Sequence, residues 1–170
     1  DCKAREASLD EDIASFRPDV VLLSGGMWDV TDRQLEGSRT WTHIGEPTYD
    51  AYLLGEFEHL IDFFTTRGVR VAWATAPDWD PKYNPETFMG KPPYAESTPG
   101  RAEKFNEVLA LALADRPAAT SIDLATWMNQ QPGGEFDPKL RIDGVHLSLA
   151  ATDTAATWLG PQLAAIGPRS

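Results

Sequence analysis

The chain has 170 residues with 42% hydrophobic and 24% charged side chains, a length for one domain over 1–170 and the balance of a globular protein rather than a disordered one. Its 15 Lys and Arg stand against 26 Asp and Glu, a formal charge of −11, which argues against nucleic acid or an anionic membrane held on a broad basic face. The single cysteine, Cys2, excludes an internal disulfide and a cysteine-based metal cluster, and no apolar run approaches the roughly 20 residues that span a bilayer.

The opening residues, Asp1-Cys2-Lys3-Ala4-Arg5-Glu6, carry neither an initiator Met nor the apolar stretch of a secretory signal, so the chain reads as cut from something longer. At such an end Cys2 fits equally half of a bridge whose other half lies elsewhere. Leu9, Ile13 and Phe16 fall at helical spacing, predicting a helix over 4–16. Arg17-Pro18-Asp19 ends it ahead of the buried strand Val20-Val21-Leu22-Leu23. Ser24-Gly25-Gly26 breaks that strand, and a polar loop with Trp28, Asp29, Trp41 and His43 runs on to Pro47.

Thr48 is the expected N-cap of a helix to Arg67, with Leu53, Phe57, Ile61 and Phe64 on one stripe and Gly68 as its stop. A strand follows over 69–74, then a second long loop from Pro77 to Pro99 with Trp79, Tyr83, Phe88 and Tyr94. Thr98-Pro99 predicts the start of a helix closed by Pro117, and Ala119 to Leu124 a short strand. A polar connector leads to Arg141-Ile142-Asp143-Gly144-Val145-His146, and Ser148 caps a last helix to Ile166. Strands alternating with helices predict a flavodoxin-like three-layer α/β/α fold on a parallel sheet. Ligands of such sheets sit at the carboxyl ends of the strands, where both aromatic loops and Gly25-Gly26 leave.

Asp143-Gly144-Val145-His146 spaces a carboxylate so that it can accept from an imidazole Nδ1–H across a tight turn, leaving Nε2 as a base for a hydroxyl. The same spacing also suits a helix-entry turn with a surface histidine. The glycines of Ser24-Gly25-Gly26-Met27-Trp28-Asp29 permit a sharp turn with backbone amides at the sheet edge, which suits an oxyanion hole or an ordinary strand-to-loop turn. Trp41, Trp79, Tyr83 and Tyr94 suit sugar faces or the packing of loops onto the sheet. His59, among Glu56, Glu58 and Asp62, reads as a solvated helix face, and no spacing suits a metal. Gly133-Gly134 lacks the Lys and the strand-to-helix context of a phosphate loop, which disfavours a nucleotide-binding flavodoxin-like reading.

Taken together, Arg17-Pro18-Asp19-Val20-Val21-Leu22-Leu23 running into Gly25-Gly26-Met27-Trp28-Asp29-Val30, with Asp143-Gly144-Val145-His146 near the other end, resembles the SGNH (GDSL-like) hydrolase superfamily, and most nearly the SGNH domains fused to membrane acyltransferases of the acyltransferase-3 type. The resemblance implies His146 as general base and Asp143 as its orienter. It makes Gly26-Met27-Trp28-Asp29 the counterpart of the Gly-x-Asn-Asp block, with Gly26 in the oxyanion hole and Trp28 where the family carries Asn. Ser24, Trp41 and Trp79 fall in the implied substrate-binding surface. No Gly-Asp-Ser occurs in these 170 residues, so by this alignment the nucleophile turn and the first strand lie upstream. Ser24 and Ser148 are poor replacements, the first by its place in the oxyanion block and the second as a helix cap. The expected activity is therefore a serine esterase or O-acyltransferase acting on acyl, chiefly acetyl, esters of surface glycans, without a cofactor. It would stand outside the cytoplasmic membrane with an attached membrane acyltransferase as partner. The alternative is a non-catalytic SGNH-like module that binds a glycan or couples to a partner.

Overall fold

The computed structural model describes residues 2–84, 86 and 90–168, with side chains from Arg5 onward, so Phe88 and the side chain of Cys2 lie outside the described set. In chain order the elements are α1 (Cys2–Phe16), β1 (Val20–Ser24), β2 (Arg33–Gln34), β3 (Trp41–Thr42), α2 (Pro47–Thr65), β4 (Arg70–Ala74), α3 (Arg101–Leu113), β5 (Ala119–Ile122), α4 (Leu124–Asn129) and α5 (Leu149–Ile166). The sheet order is β1-β4-β5, all parallel, with Val21 opposite Val71 and Val71 opposite Ala119. The short β2 and β3 form an antiparallel ribbon inside the polar loop expected between Ser24 and Pro47.

Alternation along β4 sorts its two faces. Val71 and Trp73 point into the main core, where Phe57 meets Trp73 at 4.7 Å and Phe105 at 5.0 Å between ring centroids. Helices α2 and α3 pack together over that face. Helix α1 lies beside α2, with Leu9 and Ile13 against the core and the pairs Glu6–His59 and Asp10–Arg67 at the rim. Ala72 and Ala74 occupy the opposite face, where α5 packs on β1 and β4. A second, smaller cluster there joins Trp127 and Met128 of α4 to Ala151 and Ala155 of α5, with Trp127 stacked on Trp158 at 5.1 Å. These are the three layers of an α/β/α fold.

Several boundaries differ from the sequence reading for local reasons. Thr48 sits inside the first turn of α2, because Pro47 takes the first helical position and Glu46 the cap. Thr98 does not cap α3. A 3-10 turn over Ala95–Ser97 carries the chain past it, and left-handed Gly100 (φ +84°) stands at the cap instead. Strand β5 stops at Ile122 because the Asp123 carboxylate accepts from the Thr126 amide and starts α4, a helix that the sequence reading lacked. Ser148 does cap α5, accepting from the Ala151 amide at 3.1 Å.

Among the described residues β1 pairs only with β4, so its far side is an open edge, with Leu22 39% and Phe16 78% exposed nearby. No described helix is long and apolar enough to cross a membrane. Phe105, fully buried and reaching from α3 to both Phe57 and the Gly25 turn, is the keystone of the main core. Phe105→Ala should lower unfolding free energy by about 3–5 kcal/mol in urea denaturation, and a loss below about 1 kcal/mol would show that the core does not depend on this ring.

Candidate active site

The loop from Arg141 to Leu147 is closed by an antiparallel bridge between its two ends. Inside it, Asp143 Oδ1 accepts from the amides of Val145 at 2.9 Å and His146 at 2.7 Å, which fixes the turn locally. Gly144 has φ +78°, and a Cβ there would overlap the Asp80 carbonyl oxygen. Only glycine lets the loop lie this close to the segment after β4, where the Asp80 amide donates to the Gly144 carbonyl at 3.2 Å and the Lys82 amide to the Asp143 carbonyl at 2.9 Å.

Asp143 Oδ2 lies 2.7 Å from His146 Nδ1. Partial burial pushes the Asp143 carboxyl up, but hydrogen bonds from the His146 ring and from the His146 and Val145 amides outweigh it and bring its pKa down to about 2. An ionised carboxylate only accepts, so Nδ1 carries the proton, and in the neutral ring Nε2 then keeps its lone pair. The ring is 78% exposed, and its base nitrogen can meet a hydroxyl without rearrangement.

Beneath this loop lies Arg141, only 1% exposed. Its Nη1 donates to the Asp78 carbonyl at 2.5 Å and its Nε to the Val145 carbonyl at 3.2 Å, with Phe136 5.6 Å away across the ring face. Burial pulls the guanidinium pKa down, and the charges of Glu135, Asp143 and Asp78 oppose it. Sequence reasoning had this residue inside the motif and gave it no part, because a charged side chain is expected outside and nothing local marks it as buried.

The turn after β1 is held as tightly. A Cβ on Gly25 would come within 2.7 Å of Phe105 and one on Gly26 within 2.7 Å of Trp79, so both glycines let aromatic rings close against the backbone. The Gly26 carbonyl accepts from the Asp29 amide at 2.8 Å, and the Gly26 amide donates to Asp29 Oδ2 at 2.9 Å. The Gly26 amide, expected in an oxyanion hole, is thus engaged by the Asp29 carboxylate. The Asp29 carbonyl in turn accepts from Tyr49 Oη at 2.6 Å, where burial raises the phenol to about 12.

A cleft of about 510 Å³ lies between the two stretches. It brings together six of the eight expected residues, Ser24, Gly26, Trp28, Trp79, Asp143 and His146, and adds Lys82 and Asn84 from the loop after β4. The other two lie elsewhere. Asp29 turns back under its own loop to line a hollow of about 290 Å³ between α1 and α2, and Trp41 stands 65% exposed on β3, away from the cleft lining. Ser148 Oγ donates to the Lys139 carbonyl at 2.6 Å while accepting from Ala151, which commits it to the cap. His59 pairs with Glu6 at 2.7 Å. Among the described residues no group of three or more His, Cys, Asp or Glu is placed to hold a metal.

No protein-family model matches the chain, and no curated protein matches its sequence.

Because the Asp143 pKa falls from 3.8 to about 2 on folding, its ionised form is favoured by the folded state. That contribution is complete above 3.8 and is lost as pH falls through about 2. Asp143→Asn should therefore flatten the acid side of the stability curve between about pH 5 and pH 2 in urea titrations; equal slopes for the two proteins would remove the carboxylate from this role. Gly144→Ala should lower the melting temperature and disperse the His146 ring signals in NMR spectra, since the loop must leave the Asp80 carbonyl.

Proposed function

We propose that this chain supplies the acid–base half of a serine esterase or O-acyltransferase of the SGNH type, acting on acetyl esters of glycans, with the nucleophilic serine contributed by a segment outside these 170 residues. The observation that carries the reading is the 2.7 Å contact from His146 Nδ1 to Asp143 at a cleft also lined by the Gly26-Met27-Trp28 turn. The serine hydroxyl attacks the ester carbonyl and its proton passes to His146 Nε2. Asp143 holds the imidazolium so formed. The proton then goes to the departing sugar oxygen as the carbon–oxygen bond breaks, leaving an acyl-serine. Water, or a second glycan hydroxyl, gives its proton to His146 and takes the acyl group, which returns the serine.

Trp79, Trp28 and Met27 give the cleft an apolar wall, and Lys82 and Asn84 a polar one, as an amphipathic sugar requires. In this reading the domain works outside the cytoplasmic membrane beside a membrane acyltransferase. The non-catalytic alternative draws on two observations: Trp28 stands where the family carries an oxyanion Asn, and the Gly26 amide is already occupied.

Turnover of p-nitrophenyl acetate decides between them, measured on this chain and on the polypeptide encoded by the whole reading frame. The full polypeptide should hydrolyse the ester and His146→Ala should lower kcat by about 10²–10⁴-fold. Ser24→Ala should leave it unchanged, and this chain by itself should be inert. No turnover by the full polypeptide would leave the binding module, and activity of the short chain lost with Ser24→Ala would move the nucleophile into it.

A further inference from the structure

The segment 91–97 ends in the 3-10 turn Ala95–Ser97, which buries Glu96 to 7% exposure. The Glu96 carboxylate oxygens are not among the side-chain atoms shut off from solvent without a partner, so they stay open to water or to a ligand. Among the described residues no group hydrogen-bonds or ion-pairs with the Glu96 carboxylate. Glu96 lines a hollow of about 350 Å³ with Trp28, Thr31, Lys91, Pro93 and Tyr94, and also a second one of about 260 Å³ beside Asp78 and Trp79. Trp28 borders the larger hollow and the His146 cleft alike, so its half-exposed indole is a wall shared by the two.

The surroundings are fixed. The Trp28 carbonyl accepts from Thr31 Oγ1 at 2.9 Å and from Arg33 Nη2, and Tyr94 Oη donates to the Gly90 carbonyl at 2.9 Å. A carboxylate has two oxygens that only accept, and two neighbouring hydroxyls of a sugar ring donate at matching spacing. The apolar C–H face of the same ring suits an indole wall. The volume falls in the range of small-ligand sites, about 300–1,000 Å³. Lys91 on the same hollow disfavours a metal ion or an ammonium group and offers donors to a ring oxygen, while Glu96 disfavours an anion, so a neutral polyol suits the pair.

We propose that this hollow is a sugar subsite next to the reacting cleft, with Glu96 accepting from a pair of ring hydroxyls and Trp28 packing the ring face. It deepens the esterase and acyltransferase reading, on which it rests for the neighbouring ester, by naming a second ring of the glycan as the group bound here.

The test is direct binding to this chain, read by NMR on the Trp28 indole N–H while neutral trisaccharides of hexose, deoxyhexose and N-acetylhexosamine are titrated. At least one should shift Trp28 and leave Trp127 and Trp158 in place. Glu96→Gln keeps the shape and removes the charge, and should weaken that binding at least tenfold without lowering the melting temperature. No shift with any trisaccharide, equal affinity for Glu96→Gln, or a Trp28 shift with calcium chloride but not with sugar would each overturn the proposal. Binding is read without turnover, so a sugar held with no ester cleaved keeps this inference and removes the esterase reading. Cleavage with Trp28 and Glu96 silent does the reverse.

Discussion

The cleft depends on one buried cation. Arg141 ties the Asp78 carbonyl to the Val145 carbonyl, and so joins the loop after β4 to the loop that carries Asp143 and His146. Burying a guanidinium is unfavourable unless its donors and charge are answered. Here two carbonyls take two of its nitrogens, Phe136 flanks it, and the Glu135 carboxylate adds charge while accepting from the Asp78 amide at 3.2 Å. Burial and the nearby Asp78 charge push Glu135 up, as expected for an acid held in the same poorly solvated layer. Among the described residues Nη2 has no partner.

The opposite wall is set by close packing. Gly25 and Gly26 are glycines because Phe105 and Trp79 press on the backbone. Trp79 therefore belongs to both walls: it is carried by the loop that Arg141 anchors and it rests on the turn after β1. Asn106 of α3 pins the start of that loop, bonding both the amide of Ala76 at 2.7 Å and its carbonyl at 2.9 Å. Thus the sheet, α3 and two loops fix the width of the cleft together, and a change at any of these points reaches His146.

How much of this could be read from sequence follows from the range of each interaction. Strands β1 and β4 follow from the apolar runs 20–23 and 69–74, half of whose residues are β-branched or aromatic and which only Arg70 breaks, a composition signal that needs no partner. Asp143 and His146 were legible because their contact spans three residues and is closed by the turn itself. Ser148 was legible for the same reason, whereas Thr48 and Thr98 looked like caps but lost to Pro47 and to the Ala95–Ser97 turn, two local signals of equal range. Direction and depth are what the sequence does not carry. Whether the Gly26 amide meets an oxyanion or the Asp29 carboxylate, and whether Trp41 faces the cleft or solvent, depends on how loops lie on the sheet. Arg141 and Glu96 were invisible as buried groups because a sequence gives charge and not depth.

The open edge of β1 bears on the proposed source of the nucleophile. Among the described residues β1 and β5 are the two edges of the sheet, and the β1 edge has Leu22 and Phe16 exposed near it. A further parallel strand on that edge would run in the same direction as β1 and finish at the same end of the sheet. β1 finishes at Ser24, which with Gly25 lines the cleft across from His146. The residue following such a strand would then stand next to Ser24 and Gly25, at the mouth of a cleft whose base is already oriented and 78% exposed. In the proposed function this position belongs to the serine, and the exposure of His146 is the surface that the added turn would cover.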